Sequence, residues 1–295
     1  MPEASRRSDP FIAHIRDYVA PGEPEISVHK MKHGAVSLHG HAFFEIAFIQ
    51  KGFCLHETNG HTMLITAGDL LLIRPGEKHR YISNHDIALY NCLFTPEALG
   101  GELWQSLAAL DEIGLFRPAS AEKFPFRAHL SLAQQSAIHA RLEEMLLLIK
   151  EKARGWELSV SCLLGVLLAQ TLRIFRDQYS DAAEGRAYVS YVAQALRYMD
   201  DHYAEDITVS ALARSVGISA DYFTRQFKQV MGVTPVDYLR RFRLARSMEL
   251  LRSDIAISKA ASAVGFKNLC HFSREFKKHL GLTPSEYRNQ QKNKA

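Results

Sequence analysis

Between Ile26 and Phe94 the chain alternates short β-type runs with turn signals, in the order EIAFIQ, KGF, ETNGHT, TAGD, LLLIRPGEKH and ALYNCLF. Period-two runs punctuated by Asn-Gly and Gly-Asp turns predict a small β-barrel or jelly roll. Beyond it the hydrophobic period lengthens to that of a helix. Leu130 to Ile149 and Glu157 to Phe175 predict two amphipathic helices joined by a turn at Arg154–Gly155. Leu142, Met145, Leu146 and Ile149 share one face of the first; Leu163, Val166, Leu167 and Ile174 share one face of the second. Such faces pack on the barrel or on a second chain. Asp177 to Ala187, polar and containing Gly185, predicts a linker.

The last third contains a repeat. SALARSVGISADYFTRQFKQVMGVTPVDYL, from Ser210, overlays SKAASAVGFKNLCHFSREFKKHLGLTPSEYR, from Ser258, with a 49-residue offset. Phe223, Arg225, Phe227, Lys228, Gly232, Thr234, Pro235 and Tyr238 match Phe272, Arg274, Phe276, Lys277, Gly281, Thr283, Pro284 and Tyr287. Each copy reads as a helix-turn-helix. A short helix with small packing residues (Leu212, Ala213, Val216; Ala260, Ala261, Val264) runs into Gly217 or Gly265, which can close the turn at positive φ. Ser219 and Asn268 are the N-caps expected for the second helices. Those helices bury Phe223 and Phe227, or Phe272 and Phe276, at i, i+4. Their other face carries Asp221, Thr224, Arg225 and Lys228 in one copy, and Cys270, His271, Ser273, Arg274 and Lys277 in the other, residue types suited to groove edges and phosphates. Pro235 to Arg252 predicts a stiff helix between the copies. Tyr238, Leu239, Phe242, Leu244, Ala245, Met248 and Leu251 are its packing residues, and Arg240, Arg241, Arg243 and Arg246 are left for water or DNA.

Charge follows this division. Residues 186–295 hold 18 Lys and Arg against 10 Asp and Glu, whereas residues 1–185 hold 18 against 22, so the formal +4 of the chain hides a basic C-terminal part. MPEASRRSDPF has no apolar run after its basic residues, so no secretory signal is expected. Val160 to Phe175, the most apolar stretch, is interrupted by Ser161, Gly165, Gln170 and Arg173 and reads as too short to span a bilayer. Cys54, Cys92, Cys162 and Cys270 are scattered and form no C-x-x-C pair, so neither a disulfide framework nor a zinc ribbon is suggested. A cytoplasmic setting is expected.

At the repeat, from about Tyr188 to Arg288, the sequence resembles the AraC/XylS family of bacterial regulators. The second copy, from Ile257 through GF, F-x-R-x-F-K, G-x-T-P and EYR, carries the closest likeness. The resemblance implies that Ser219, Asp221, Thr224, Arg225, Lys228, Asn268, Cys270, His271, Ser273, Arg274 and Lys277 meet double-stranded DNA, with the recognition helices about 34 Å apart. It also implies that the middle helices supply a homodimer contact and that RNA polymerase is a partner.

In the N-terminal part Gly34, His39, His41, Glu45 and Gly52, then Gly68, Asp69, Pro75, Gly76 and His79, resemble the two cupin motifs, with Ser83 where asparagine is usual and Asn84 one place later. On one regular strand His39, His41, Phe43 and Glu45 would all project into the barrel, joined by His79 from a second strand. Three imidazoles and a carboxylate suit a divalent metal ion, such as Zn, Fe, Mn or Ni. They equally suit a metal-free polar pocket for an organic effector. Arg74, Tyr81 and Tyr90 are further pocket candidates, each equally placed for the barrel exterior.

The expected architecture is multidomain α+β. A cupin-like barrel (26–125) senses the effector, a helical connector (130–177) supports dimerisation, and an all-α domain (188–290) carries two helix-turn-helix units. The expected function is a sequence-specific transcription regulator, activator or repressor, that responds to a small-molecule effector or a metal and is no enzyme, with a sugar as the first effector candidate, since the resemblance extends to carbohydrate-operon regulators. The opposed reading is a metallo-cupin isomerase or dioxygenase fused to a DNA-binding module.

Overall fold

The computed structural model describes residues 11–32, 36–117, 126–179 and 185–292. Gly34, the first glycine of the motif-like pattern, lies outside them, as do positions 118–125 at the end of the expected barrel and 180–184 of the expected linker. Eight strands form one sheet: β1 (Phe11–Ala13), β2 (Ile26–Lys32), β3 (Val36–His41), β4 (Phe44–Thr58), β5 (His61–Thr66), β6 (Asp69–Ile73), β7 (Lys78–Phe94) and β8 (Phe126–His129). Several short runs expected as separate strands are fused. EIAFIQ and KGF both lie on β4, of 15 residues, and ALYNCLF ends β7, of 17 residues. Both long strands bend by register shifts between Ile49 and Leu55, and they change outer partners partway along. β7 pairs with β3 near its start and β2 near its end; β4 pairs with β6 and then β5. The result is an N-terminal half-barrel. The Asn59–Gly60 turn takes φ of 50° and 80°, as a tight hairpin requires. The sheet reaches beyond 26–125 through β1 and β8, which are too short to show a period.

Helix α1 (Gly101–Ala109) precedes the helical pair α2 (Leu132–Glu151) and α3 (Trp156–Tyr179), which turns at Gly155 with φ 82°. Leu142 and Met145 are fully buried, and Leu146 and Ile149 pack on the same core as Phe44, Phe94 and Trp156. That face therefore belongs to the monomer's interior, which corrects its expected share in a dimer seam. Val166 is also turned outward, at 43% exposure, because the buried stripe runs through Val160, Leu164, Leu167, Leu168 and Phe175. The segment Trp156–Asp177, 22 residues of mean hydropathy 1.8, is longer than the 160–175 stretch and long and apolar enough to cross a membrane. Here its apolar stripe is buried against the half-barrel instead.

The C-terminal domain is helical: α4 (Gly185–His202), α5 (Val209–Ser215), α6 (Ala220–Met231), α7 (Pro235–Leu250), α8 (Ile257–Ala263), α9 (Leu269–Leu280) and α10 (Pro284–Lys292). Helices take up both ends of the expected 177–187 linker. The two repeats fold as α5–α6 and α8–α9, with Gly217 at φ 74° and Gly265 at φ 85° in the turns. Ser219 and Asn268 cap α6 and α9 by accepting from the amides of Tyr222 and His271, as expected. Helix α7 ends two residues earlier than expected, but every residue assigned to packing is buried, Leu251 just past the helix end included.

The two domains are packed together. Phe53, Leu55, Leu64 and Ile82 join one apolar cluster with Val192, Leu196, Phe223, Tyr238 and Phe242. Leu64 N–H on β5 donates to Tyr238 Oη at 2.9 Å. At α6's C-terminal end, buried Arg127 donates to Asp69 (2.6 Å) and contacts the Met231 sulfur (2.7 Å). His129 Nδ1 lies 2.8 Å from Asp69 Oδ1, and its ring stands where a Cβ on Gly232 would come within 2.4 Å. Three of the four arginines of α7 make polar contacts within the protein. Arg243 donates to the carbonyls of Tyr203 and Glu205 (2.6 Å each), and Arg246 donates to Asp200 (3.1 Å) and Thr62 (3.3 Å). Arg240 pairs with Asp237 and Glu275, and Arg241 is half-buried.

Candidate sensor cavity and nucleic-acid interface

Strand β3 ends at His41 and β4 begins at Phe44, so a bend at Ala42–Phe43 interrupts the single strand expected through Glu45. The bend stacks Phe43 on His41, centroids 4.4 Å apart and planes 8° apart, and turns Glu45 back toward the histidines. Glu45 Oε2 lies 3.5 Å from His41 Nε2 and 4.0 Å from His79 Nε2. One ligand atom from each of these three buried residues lies within 4.8 Å of the others. His39 does not join them. A register shift between Val36 and His39 leaves it half-buried with Nδ1 3.0 Å from the Ser37 carbonyl, its ring flanking His79 at 4.3 Å. The expected three-histidine set therefore contracts to two.

His56, which the motif reading missed, stands behind His79. Its Nε2 is 3.1 Å from His79 Nδ1 and its Nδ1 is 3.2 Å from Thr58 Oγ1. Alternation along β4 gave the available signal: Cys54, His56 and Thr58 face inward while Phe53 and Leu55 face the helical domain.

His41 and Glu45 line a cavity of about 540 Å³, together with His39, Tyr18, His29, Tyr81 and Asn91, so His39 keeps its expected place at the effector pocket. Burial pushes the Glu45 carboxyl up to about 8. Burial pulls His41 down to about 4, against an opposing bond to the Phe43 carbonyl, and His56 down to about 3. At neutral pH Glu45 holds its proton and the His41 and His56 imidazoles are uncharged. His41 Nδ1 faces only the Phe43 carbonyl, at 2.6 Å, so it carries the proton and leaves the Nε2 lone pair facing Glu45. Such a pocket can hydrogen-bond a polar ligand or, once Glu45 ionises, hold a cation. Of the other candidates, Tyr81 lines the cavity. Arg74 is buried in an ion pair with Glu77 (2.6 Å), and the Tyr90 hydroxyl turns to His139 and Glu143 on α2; both serve structure.

On the helical domain, Asp221, Arg225 and Lys228 of α6 and Cys270, His271, Arg274 and Lys277 of α9 are exposed, with Thr224 and Ser273 half-buried beside them. Ser219 and Asn268 are exposed and occupied as caps. Thr224 Oγ1 donates to the Ala220 carbonyl (2.8 Å), and His271 faces Glu275 at 4.0 Å. Docking on the half-barrel engages the C-terminal end of α6 and leaves these faces open. A groove of about 570 Å³ between α7 and α9 adds Lys267, Arg240 and Arg243 beside Arg274.

A half-barrel with a polar cavity, joined to a double helix-turn-helix domain, defines a ligand-binding transcription regulator. Residues 25–168 match the AraC-like ligand binding domain and residues 212–290 match a helix-turn-helix domain. The chain is 27% identical over 264 residues to the HTH-type transcriptional activator RhaS of Salmonella typhimurium, covering 88% of this chain and 90% of that protein. Among solved structures, it is 31% identical to an AraC-type DNA-binding transcriptional regulator from Chromobacterium violaceum, covering 35% of this chain and 93% of that one at a TM-score of 0.33. It is 26% identical to the DNA-binding domain of AdpA in complex with a target DNA, covering 35% and 94% at a TM-score of 0.34. The chain belongs to the AraC family of transcription regulators.

Proposed function

We propose that this regulator activates transcription when a small polyhydroxylated molecule, a sugar, occupies the half-barrel cavity. The observation that carries the effector reading is the cavity itself: imidazoles, a carboxyl and an amide face Phe43, Tyr18 and Tyr81 across a space fit for one small ligand. Under this reading 26–125 senses, 130–177 supports a dimer, and 188–290 binds the promoter and meets RNA polymerase, in the cytoplasm and without turnover of the ligand. The RhaS likeness supports activation. The exposed Leu158 and Val166 on α3, at 72% and 43%, support a homodimer contact there. Base contacts are assigned to Arg225 and Arg274, phosphate contacts to Lys228 and Lys277, and flanking contacts to the other exposed residues of α6 and α9. A thermal-shift screen of sugars tests the effector, because a ligand of the native state raises its apparent stability. A hit must also change promoter binding in an anisotropy assay. A sugar that stabilises the chain and leaves DNA affinity unchanged removes the regulatory assignment.

A further inference from the structure

The half-barrel contains an arrangement that hydrogen bonding to an organic ligand does not require. His41 Nε2 and Glu45 Oε1 are buried without a hydrogen-bond partner, and both belong to the group that includes His79 Nε2. Each histidine has its other ring nitrogen engaged: His41 by the Phe43 carbonyl at 2.6 Å, His79 by His56 at 3.1 Å. Two imidazoles oriented through their outer nitrogens, plus one carboxylate, form the donor set of a divalent transition-metal site with open positions. We propose that His41, Glu45 and His79 bind one such ion, that His56 is the positioning residue for His79, and that the ion's open positions face the effector cavity.

The proton arrangement is consistent throughout. To offer its Nε2 lone pair, His79 must carry its proton on Nδ1, which then donates to His56 Nε2. His56 in turn donates from Nδ1 to Thr58 Oγ1, 3.2 Å away. Ligands about 2 Å from a common ion stand roughly 3 Å apart, so the observed 3.5 and 4.0 Å separations close by side-chain adjustments of an ångström or less. His39, bonded to Ser37 and half-buried, is left out. The inward His56 and the outward Leu55 are neighbours on β4, and Leu55 packs on the helical domain. An oxygen-rich effector chelating the ion would thereby act beside the strand that carries the DNA-binding unit. Only this last role rests on the effector reading above.

The test uses the full chain, stripped with chelator and titrated separately with Zn(II), Co(II), Mn(II), Ni(II) and Fe(II), with elemental analysis for stoichiometry. One equivalent per chain is expected for at least one of them, with a rise in thermal midpoint that chelator reverses. Glu45→Gln and His41→Ala should abolish it, while His39→Ala retains it. His56→Leu should weaken affinity by about 10–100-fold, with partial recovery in His56→Gln, whose amide oxygen can still accept from His79. Near-ultraviolet circular dichroism confirms that each variant is folded. Glu45→Gln, a neutral isostere at a buried carboxyl, keeps the test decisive should His41→Ala not fold. No stoichiometric binding of any of the five ions, or loss of binding in His39→Ala, overturns the proposal. Sugar-dependent DNA binding by ion-free protein would remove the ion's role toward the effector and leave the effector reading standing.

Discussion

Replacing Glu45 by Gln should make the metal-free protein more stable at neutral pH, by an amount set by one buried proton. The folded carboxyl titrates near 8 against 4.5 for an exposed glutamate, because burial removes water from the charged form. At pH 7 the folded state must keep a proton that the unfolded chain releases. The cost is the 2.5-unit gap between pH 7 and 4.5, at 1.36 kcal/mol per unit, or about 3 kcal/mol. This raised acid contributes full stability below pH 4.5. The contribution declines as pH rises and is gone above about 8, where the deficit reaches about 5 kcal/mol. The histidines act in the opposite sense. His41, lowered to about 4, and His56, lowered to about 3, contribute stability present above 6.5 and lost as pH falls toward those values. Wild type should therefore weaken on both sides, whereas Glu45→Gln should keep only the acid-side loss. Urea unfolding with chelator at pH 5, 7 and 8.5 checks this, followed by tryptophan fluorescence. The chain's two tryptophans, Trp104 and Trp156, both lie outside the helix-turn-helix domain, on α1 and α3. A variant no more stable than wild type at pH 7, or one that still loses stability between pH 7 and 8.5, refutes the argument.

Arg225→Ala and Arg274→Ala should each cost about 1–3 kcal/mol in specific DNA affinity, and Lys228→Ala and Lys277→Ala should weaken all sequences alike; equal arginine losses on specific and random duplexes in anisotropy titrations would exclude base reading. Leu142→Glu, at a fully buried site, should cost more than about 3 kcal/mol and unfold the N-terminal domain, whereas Leu158→Glu with Val166→Glu should leave a folded monomer in sedimentation analysis. Gly281→Ala should cost about 1 kcal/mol for its positive φ alone, since no atom stands within 4 Å of the added methyl. Gly232→Ala must in addition displace His129 from Asp69, so the part of its loss that exceeds the Gly281→Ala loss should vanish in a His129→Ala background.

Much of the helical domain was legible without coordinates because its information is local. A glycine that must take positive φ, a Ser or Asn that caps, and phenylalanines at i, i+4 each act within a few residues, and the repeat states them twice. The half-barrel was legible only in kind. Turn residues announced strands, but whether EIAFIQ and KGF were one strand or two depended on how β4 and β7 bend together, which is a property of their pairing. The sensor group shows the same limit. The motif-like spacing named His39, His41, Glu45 and His79, yet a bulge in β3 and a bend at Ala42–Phe43 decided that His39 stands aside and His56 comes behind His79. A one-residue shift exchanges a strand's inward and outward side chains, so no period read along the chain fixes which imidazoles meet. The domain interface was hidden for the same reason. Arg246 looks solvent-bound on a helix read alone, and only the tertiary structure brought Asp200 and Thr62 of the β5 edge to meet it. By itself the sequence determined the kinds of domain, the caps and turns, and the exposed recognition faces, because short-range sterics and periodicity dictate them. Which histidines converge, which leucines are interior, and which arginines join the two domains were decided by contacts between residues far apart in the chain, and those exist only once the fold has closed.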